Sequence, residues 1–199
     1  MKLYIFEGMD NTGKSTLIHE LEQKCINEGL QYITIHSSAP SGGTNEEKCR
    51  KINQYNLDLC HQILQYKKEG VYDVIFLDRA WYSEYVYGPL YRKHDELDIL
   101  ANISSIEDTL KYYFQKEDDD IYLILLSTDD LSVCQDHEDG KSLSNNQIIL
   151  LEKERDKFFE VFKASELEHK LNLQVNVKND FADKEVLTNY LWSTFNPNK

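Results

Sequence analysis

The chain has 199 residues, and 22 Lys plus Arg against 35 Asp plus Glu give a formal net charge of −13. This acidic surplus disfavours binding to a polynucleotide or to an anionic membrane surface, whereas compact anions remain compatible with it. The length predicts a single domain over residues 1–199. Four cysteines without paired spacing, together with the lack of a secretion signal, predict reduced thiols and a soluble, cytoplasmic protein.

Strand and helix signals alternate along the chain. Short apolar runs predict five strands, at residues 3–6, 32–35, 74–77, 121–126 and 173–177. Apolar residues at helical spacing between them predict helices that contain residues 17–26, 52–66, 103–114, 148–162 and 186–191. Because parallel strands need crossover connections, this alternation predicts an α/β fold with a doubly wound parallel sheet of about five strands. The polar, acidic stretch without periodicity predicts a lid loop at residues 129–146.

A phosphate-binding motif lies between the first predicted strand and the first helix. Residues 8–15, GMDNTGKS, fit Gly-x-x-x-x-Gly-Lys-Ser/Thr in full, so the fold is predicted to be of the P-loop NTPase type. Its backbone N–H groups cradle phosphates at a helix N-terminus. Lys14 is expected to reach the β and γ phosphates of ATP, and the Ser15 hydroxyl to hold Mg²⁺. The predicted ATP-binding residues are Gly8, Asn11, Thr12, Gly13, Lys14, Ser15 and Thr16.

Two polar residues directly follow the third predicted strand. Asp78 and Arg79 lie at its carboxyl end, which is where open α/β sheets bind ligands. Arg79 is predicted to clamp an acceptor phosphate against the γ-phosphate of the donor, and Asp78 to act on Mg²⁺ with Ser15. The alternative is that Asp78 and Arg79 form an inert ion pair at the strand end.

Three stretches of the sequence resemble thymidylate kinases, which phosphorylate a deoxynucleoside monophosphate with MgATP. They are FEGMDNTGKST at residues 6–16, LDRAWYSEYVYG at 77–88 and, more faintly, APSGGT at 39–44. The resemblance implies that Asp10 accepts a hydrogen bond from the acceptor sugar, although Asp is also favoured in tight turns. It further implies a homodimer. Lys14, Arg79 and Asp10 are therefore the predicted catalytic residues.

Further residues are predicted to bind the acceptor. Ser83 and Tyr87 match substrate-side positions of the thymidylate kinases one for one. Arg92 is predicted to reach a phosphate or base, the alternative being a solvated surface role. In thymidylate kinases and deoxynucleoside kinases, the helix segment that corresponds to Gln54, Tyr55 and Asn56 faces the acceptor base, so an amide here is predicted to read a base edge and Tyr55 to stack on the base.

One departure from the thymidylate kinase pattern concerns a catalytic arginine, which that family carries in the P-loop or in the lid. Asn11 occupies the P-loop position here, and Lys141 is the only Lys or Arg of the predicted lid. An acidic lid over a triphosphate loses electrostatic stabilisation unless Lys141, or Arg155 from the next helix, reaches the phosphates. A catalytically weak nucleotide-binding regulator is therefore one alternative to a kinase.

The acceptor of a P-loop kinase can also be a nucleoside or a polynucleotide. A deoxynucleoside kinase needs a general base near the sugar hydroxyl, and the related family carries a Glu at the end of the second strand. The corresponding residues here, 36–39, are HSSA and contain no carboxylate. A kinase for polynucleotides conflicts with the charge of −13. The sequence therefore favours a deoxynucleoside monophosphate as acceptor, because its phosphate oxyanion needs positioning more than a base.

Overall fold

The computed structural model describes residues 1–115, 119–132, 134, 147–175 and 182–195. Its strands are β1 (Lys2–Gly8), β2 (Tyr32–His36), β3 (Val74–Asp78), β4 (Asp120–Ser127) and β5 (His169–Gln174). Its α-helices are α1 (Lys14–Glu28), α2 (Asn45–Glu69), α3 (Tyr82–Tyr87), α4 (Glu96–Tyr113), α5 (Ile148–Ala164) and α6 (Ala182–Phe195). A π-helical turn, Gly88–Arg92, follows α3. None of the described helices is long and apolar enough to cross a membrane.

The five strands form one parallel sheet in the order β2-β3-β1-β4-β5. This arrangement confirms the predicted α/β fold with its parallel sheet, and it is compatible with the P-loop NTPase type. In the register of β1 with β3, Phe6 lies opposite Asp78. The carboxyl ends of these two strands therefore place the P-loop and the Asp78-Arg79 pair side by side.

Both faces of the sheet are covered, which explains the uninterrupted apolar runs. Along β1, Leu3 and Ile5 pack with residues of α2 and α4, whereas Tyr4 and Phe6 pack with residues of α1 and α6. Successive side chains of a strand point to opposite faces, so helices lie on both sides as a doubly wound fold requires.

The ends of α2 follow from local sequence signals. Thr44 caps its N-terminus in a capping box with Glu47, in which each side chain accepts a hydrogen bond from the other residue's backbone N–H. The helix ends at Gly70, whose φ of 64° is left-handed. The two signals fix where α2 begins and where it ends. The N-terminal half of the helix forms a wall of the cavity described below.

Two parts of the chain differ from the sequence-based expectations. The last strand runs from His169 to Gln174, so it begins four residues and ends three residues earlier than predicted. All of it pairs with β4 at the sheet edge and only Leu173 is buried, so it leaves no apolar run in the sequence. Residues 82–92 form α3 and the π-helical turn, which no sequence signal predicted. Most of the predicted lid, residues 133 and 135–146, lies outside the described residues, and Lys141 is among them.

Candidate functional site

The P-loop joins β1 to α1 and is held by its own hydrogen bonds. Gly8 has φ 140°, and a Cβ atom there would lie 2.3 Å from the Leu126 carbonyl oxygen, so only glycine fits. The Thr12 hydroxyl donates to the Met9 carbonyl at 2.9 Å. The Lys14 ammonium donates to the Gly8 carbonyl at 3.1 Å and to the Met9 carbonyl at 2.6 Å.

Lys14 is buried at the start of α1, where little water reaches its charge. Burial is the main reason that the pKa of Lys14 is lowered to about 7, and the positive charge of the nearby Arg79 guanidinium lowers it further. The carboxylates of Asp10, Asp78 and Glu7 oppose this shift. A phosphate at this position favours the charged ammonium for the same electrostatic reason.

Side-chain oxygens of Ser15, at the start of α1, and Asp78, at the end of β3, lie next to each other. The Ser15 hydroxyl donates to Asp78 Oδ2 at 2.6 Å, and His36 Nδ1 lies 3.2 Å from the same oxygen. Asp78 Oδ1 is buried without a hydrogen-bond partner among the described residues. Mg²⁺ prefers oxygen ligands and is commonly bound through one or two carboxylates plus substrate phosphates, so these residues fit the predicted metal. They would hold it beside the P-loop.

Arg79 leaves β3 in a left-handed conformation, with φ 68°. Its backbone N–H donates to the Phe6 carbonyl at 3.0 Å, which fixes this turn against β1. The guanidinium forms an ion pair with Asp10, donates to the Ser83 hydroxyl at 3.3 Å and lies 5.4 Å from the centre of the Tyr87 ring. The structure thus brings together four residues that the sequence predicted for the acceptor side, from positions 69 residues apart in the chain.

Glu7 completes this arrangement, although the sequence analysis did not identify it. Its carboxylate accepts hydrogen bonds from the Ala80 backbone N–H at 2.8 Å and from the Ser83 hydroxyl at 2.7 Å. Burial raises the pKa of Glu7 to about 7, against the opposing effect of Arg79. A carboxylate at the end of a buried apolar strand, directly before Gly8, is the signal that could have identified it. Through Ser83, Glu7 orients Arg79.

A cavity of about 910 Å³ adjoins the P-loop. It is enclosed by the loop after β2, one face of α2, and the segment from Arg79 to Arg92. Its lining residues are Asp10, Ser37, Ser38, Ala39, Pro40, Ser41, Lys51, Ile52, Tyr55, Asn56, Arg79, Ala80, Ser83, Glu84, Tyr87 and Arg92. All the predicted acceptor-binding residues except Gln54 are among them.

Gln54 lies on the outer face of α2, exposed, and donates a hydrogen bond to Asp58 at 2.8 Å. The amide that faces the cavity is that of Asn56, which is 7% exposed. The helix turns by about 100° per residue, so a difference of two positions moves a side chain to the other face. The structure therefore offers Asn56, beside Tyr55, as the amide for contact with an acceptor base.

Arg92 lies in the cavity wall as part of a buried ion pair. Its guanidinium donates to both oxygens of Glu84, and the two side chains are 7% and 3% exposed. The sequence identified Arg92 but not its partner. This pairing excludes the alternative that Arg92 is a solvated surface residue, and it commits much of its hydrogen-bonding capacity to Glu84.

Tyr87 presents a buried hydroxyl that has no hydrogen-bond partner among the described residues. Its ring stacks with Tyr91 and meets the edge of Phe158. Burial raises the pKa of Tyr87 well above its usual range, so the hydroxyl stays protonated. Tyr87 lines the cavity with its ring, while its hydroxyl is buried behind the cavity wall.

Two residues that bear on the missing catalytic arginine, Arg155 and Asn11, have other partners. Arg155 on α5 pairs with its neighbour Asp156. Asn11, at the P-loop position where thymidylate kinases can carry an arginine, donates to the Cys134 carbonyl at 3.3 Å. Asn11 therefore ties the P-loop to the described part of the predicted lid.

Comparison of the chain with protein-family models and with curated protein sequences finds no match.

Proposed function

We propose that this protein is an MgATP-dependent deoxynucleoside monophosphate kinase. One observation carries the proposal: the Arg79 guanidinium, paired with Asp10, lies between the P-loop and a cavity large enough for a nucleotide. A guanidinium at this junction can bind an acceptor phosphate while the P-loop holds the donor phosphates.

On the donor side, the P-loop backbone and Lys14 bind the ATP phosphates. Mg²⁺ held by Ser15 and Asp78 would neutralise part of their charge. The Lys14 ammonium, which donates to loop carbonyls 3.1 and 2.6 Å away, moves to the phosphate oxygens. Transfer of the γ-phosphoryl group then depends mainly on positioning and on charge stabilisation.

On the acceptor side, Arg79 binds the monophosphate and directs one of its oxygens at the γ-phosphorus. That oxygen forms the new P–O bond as the bond from the γ-phosphorus to the β-phosphate oxygen breaks, which yields a diphosphate and ADP. When the acceptor binds, Asp10 gives up part of its contact with Arg79 and accepts a hydrogen bond from a hydroxyl of the sugar. Tyr55 and Asn56 contact the base.

The carboxylates of the cavity support a monophosphate rather than a nucleoside as acceptor. Among the described residues that line it, these carboxylates are Asp10 and Glu84, and each is paired with an arginine. The arginine occupies the carboxylate oxygens that a general base would need to accept a proton from a sugar hydroxyl. A sugar hydroxyl needs a base to become nucleophilic, whereas a phosphate oxyanion does not.

The test is ADP formation by the purified chain with MgATP and a panel of deoxynucleoside and ribonucleoside monophosphates, unphosphorylated nucleosides and oligonucleotides. We expect ADP with at least one deoxynucleoside monophosphate, and none above the level of Lys14→Ala with nucleosides or oligonucleotides. Lys68→Ala, at an exposed position near the far end of α2, serves as the matched control. Turnover confined to nucleosides, or ATP binding without turnover of any acceptor, would refute the proposal.

A further inference from the structure

A second group of polar side chains lies at the cavity wall, apart from the P-loop. Cys49 belongs to the second turn of α2, Glu84 to α3, and His94 to the segment between the π-helical turn and α4. One sulfur, one oxygen and one nitrogen from these residues lie within 4.8 Å of one another. The three elements meet at this point, although 45 residues separate Cys49 from His94 in the chain.

The two oxygens of Glu84 have different partners. Oε2 accepts the short hydrogen bond from Arg92, and Oε1 lies 2.8 Å from His94 Nδ1. The Arg92 guanidinium also stays 3.4 Å from Oε1 through its Nε. Arg92 therefore contacts both oxygens of Glu84, Oε2 by the shorter hydrogen bond, and Oε1 also faces the imidazole of His94.

The backbone fixes His94 in this position. Its N–H donates to the Gly88 carbonyl at 3.2 Å, and the Gly88 N–H in turn donates to the Glu84 carbonyl. Lys93 between them adopts a left-handed conformation, with φ 57°. The Glu84 and His94 side chains are 3% and 10% exposed, so neither moves freely in solvent.

A thiolate, an imidazole nitrogen and a carboxylate oxygen are the ligand types that Zn²⁺ prefers, whereas Mg²⁺ disfavours sulfur. Zinc bonds of roughly 2.0–2.3 Å with tetrahedral angles place neighbouring ligand atoms roughly 3.3–3.7 Å apart. The ligand atoms of the group lie within 4.8 Å of one another, so they are at most about 1 Å farther apart than a zinc site requires. Hydrogen bonding among Glu84, Arg92 and His94 accounts for those three residues but not for the thiol beside them.

We propose that Cys49, Glu84 and His94 form a Zn²⁺ site that joins α2 to α3 at the edge of the cavity. Arg92 holds Oε2 of the ligand carboxylate by its short hydrogen bond, the role that hydrogen-bonding groups around metal ligands commonly have. Three protein ligands leave one coordination position for water. The site does not depend on the proposed kinase activity, because it shares none of the P-loop residues.

Zn²⁺ binding requires that the Cys49 thiol lose its proton. Burial and the Glu84 carboxylate raise the pKa of the Cys49 thiol, so Cys49 is protonated before the metal binds. The metal displaces this proton, because a ligand atom must offer a lone pair. The thiolate and the carboxylate then balance the two charges of Zn²⁺, and Arg92 leaves a net charge of +1 on the group.

The test uses the whole chain, freed of metal by a chelator under a thiol-free reductant. Zn²⁺ is titrated against a chromophoric chelator, and Co²⁺ is followed by its absorption spectrum. We expect one equivalent of Zn²⁺ per chain, and a thiolate-to-metal charge-transfer band with Co²⁺. Cys49→Ala and His94→Gln should each weaken Zn²⁺ binding at least about 10-fold and remove or alter that band.

Neighbours on α2 provide matched controls. Cys60→Ala removes a buried thiol and His61→Gln an exposed imidazole, both outside the group, and both should bind Zn²⁺ as the parent does. Asp78→Asn should also bind Zn²⁺ normally, which separates this site from the P-loop metal. Circular dichroism of each variant establishes that it is folded. Unchanged Zn²⁺ affinity in folded Cys49→Ala, or no stoichiometric Zn²⁺ binding by the parent, would overturn the proposal.

Discussion

Apart from Asp78, the P-loop side of the site comes from eight consecutive residues, whereas the neighbouring cavity draws on segments spread from Asp10 to Arg92. The P-loop relies on backbone groups with Lys14, Ser15 and Asp78. The cavity relies on paired side chains: Arg79 with Asp10, Ser83 with Glu7, and Arg92 with Glu84. A change in the P-loop is therefore expected to affect chemistry alone, whereas a change in the cavity wall also affects stability.

The largest effect is expected from Lys14→Ala. It removes the one side-chain cation of the P-loop, so phosphoryl transfer should fall about 10³-fold or more, while the folded structure persists. Initial rates of ADP release and a thermal melt measure the two quantities. Lys68→Ala should leave both unchanged. A Lys14→Ala protein that retains a tenth of the parent activity would show that the P-loop side is not used as proposed.

Arg79→Ala should separate the two sides of the site. Because the guanidinium faces the cavity, kcat/KM for the monophosphate should fall about 10²–10³-fold, while the affinity for ATP changes less than about threefold. Calorimetric titration with a non-hydrolysable ATP analogue and steady-state kinetics measure these quantities. The control is Arg50→Ala, an exposed arginine of α2. An equal loss of ATP affinity would assign Arg79 to the donor phosphates instead.

Arg92→Met should lower the free energy of unfolding of the protein, whether or not an acceptor is bound. The substitution leaves the Glu84 carboxylate buried without its cation, which costs about 3 kcal/mol in the free energy of unfolding. Chemical denaturation measures it, and Glu84→Gln in the same chain should restore part of the loss. Arg155→Met, which breaks a more exposed pair, should cost less than about 0.5 kcal/mol. Similar losses for the two variants would contradict a buried ion pair.

Glu7→Gln should alter how stability depends on pH. The pKa of Glu7 is raised to about 7 by burial, so the folded protein binds this proton more tightly than the unfolded chain does. That contribution to stability is complete below the unfolded pKa and is lost as pH rises through about 7. Between about pH 6 and 8 the free energy of unfolding falls by about 1 kcal/mol through this proton. Glu7→Gln removes this part of the pH dependence, because an amide does not titrate.

Chemical denaturation at several pH values compares the parent with Glu7→Gln and with the exposed control Glu152→Gln. The parent and the control should share one slope, and Glu7→Gln should show a shallower decline towards high pH. Identical slopes for all three proteins would mean that Glu7 titrates as an ordinary carboxyl group.

The sequence predicted best what is encoded locally. Buried strands produce uninterrupted apolar runs, and the P-loop needs glycines at fixed spacing, so the sheet and the phosphate loop could be predicted without any tertiary information. Asp78 and Arg79 could be placed because the ends of adjacent parallel strands meet at one edge of the sheet.

The partners of the charged residues could not be predicted in this way. Glu7 lies 76 residues from Ser83, and only folding brings them together. Whether the amide of Gln54 or that of Asn56 faces the cavity depends on the rotation of α2 about its axis. A shift of two residues along the helix moves a side chain to the other face. The π-helical turn that positions Arg92 and His94 has no local sequence signal of its own.

Transfer of the γ-phosphate itself tests the central proposal most directly. The chain is incubated with ATP labelled in its γ-phosphate, Mg²⁺ and the best acceptor of the panel, and the labelled products are separated. We predict that the label appears in the β-phosphate of the deoxynucleoside diphosphate, and that Lys14→Ala abolishes its transfer. Label found only in inorganic phosphate, or in the phosphate of a newly formed monophosphate, would contradict it.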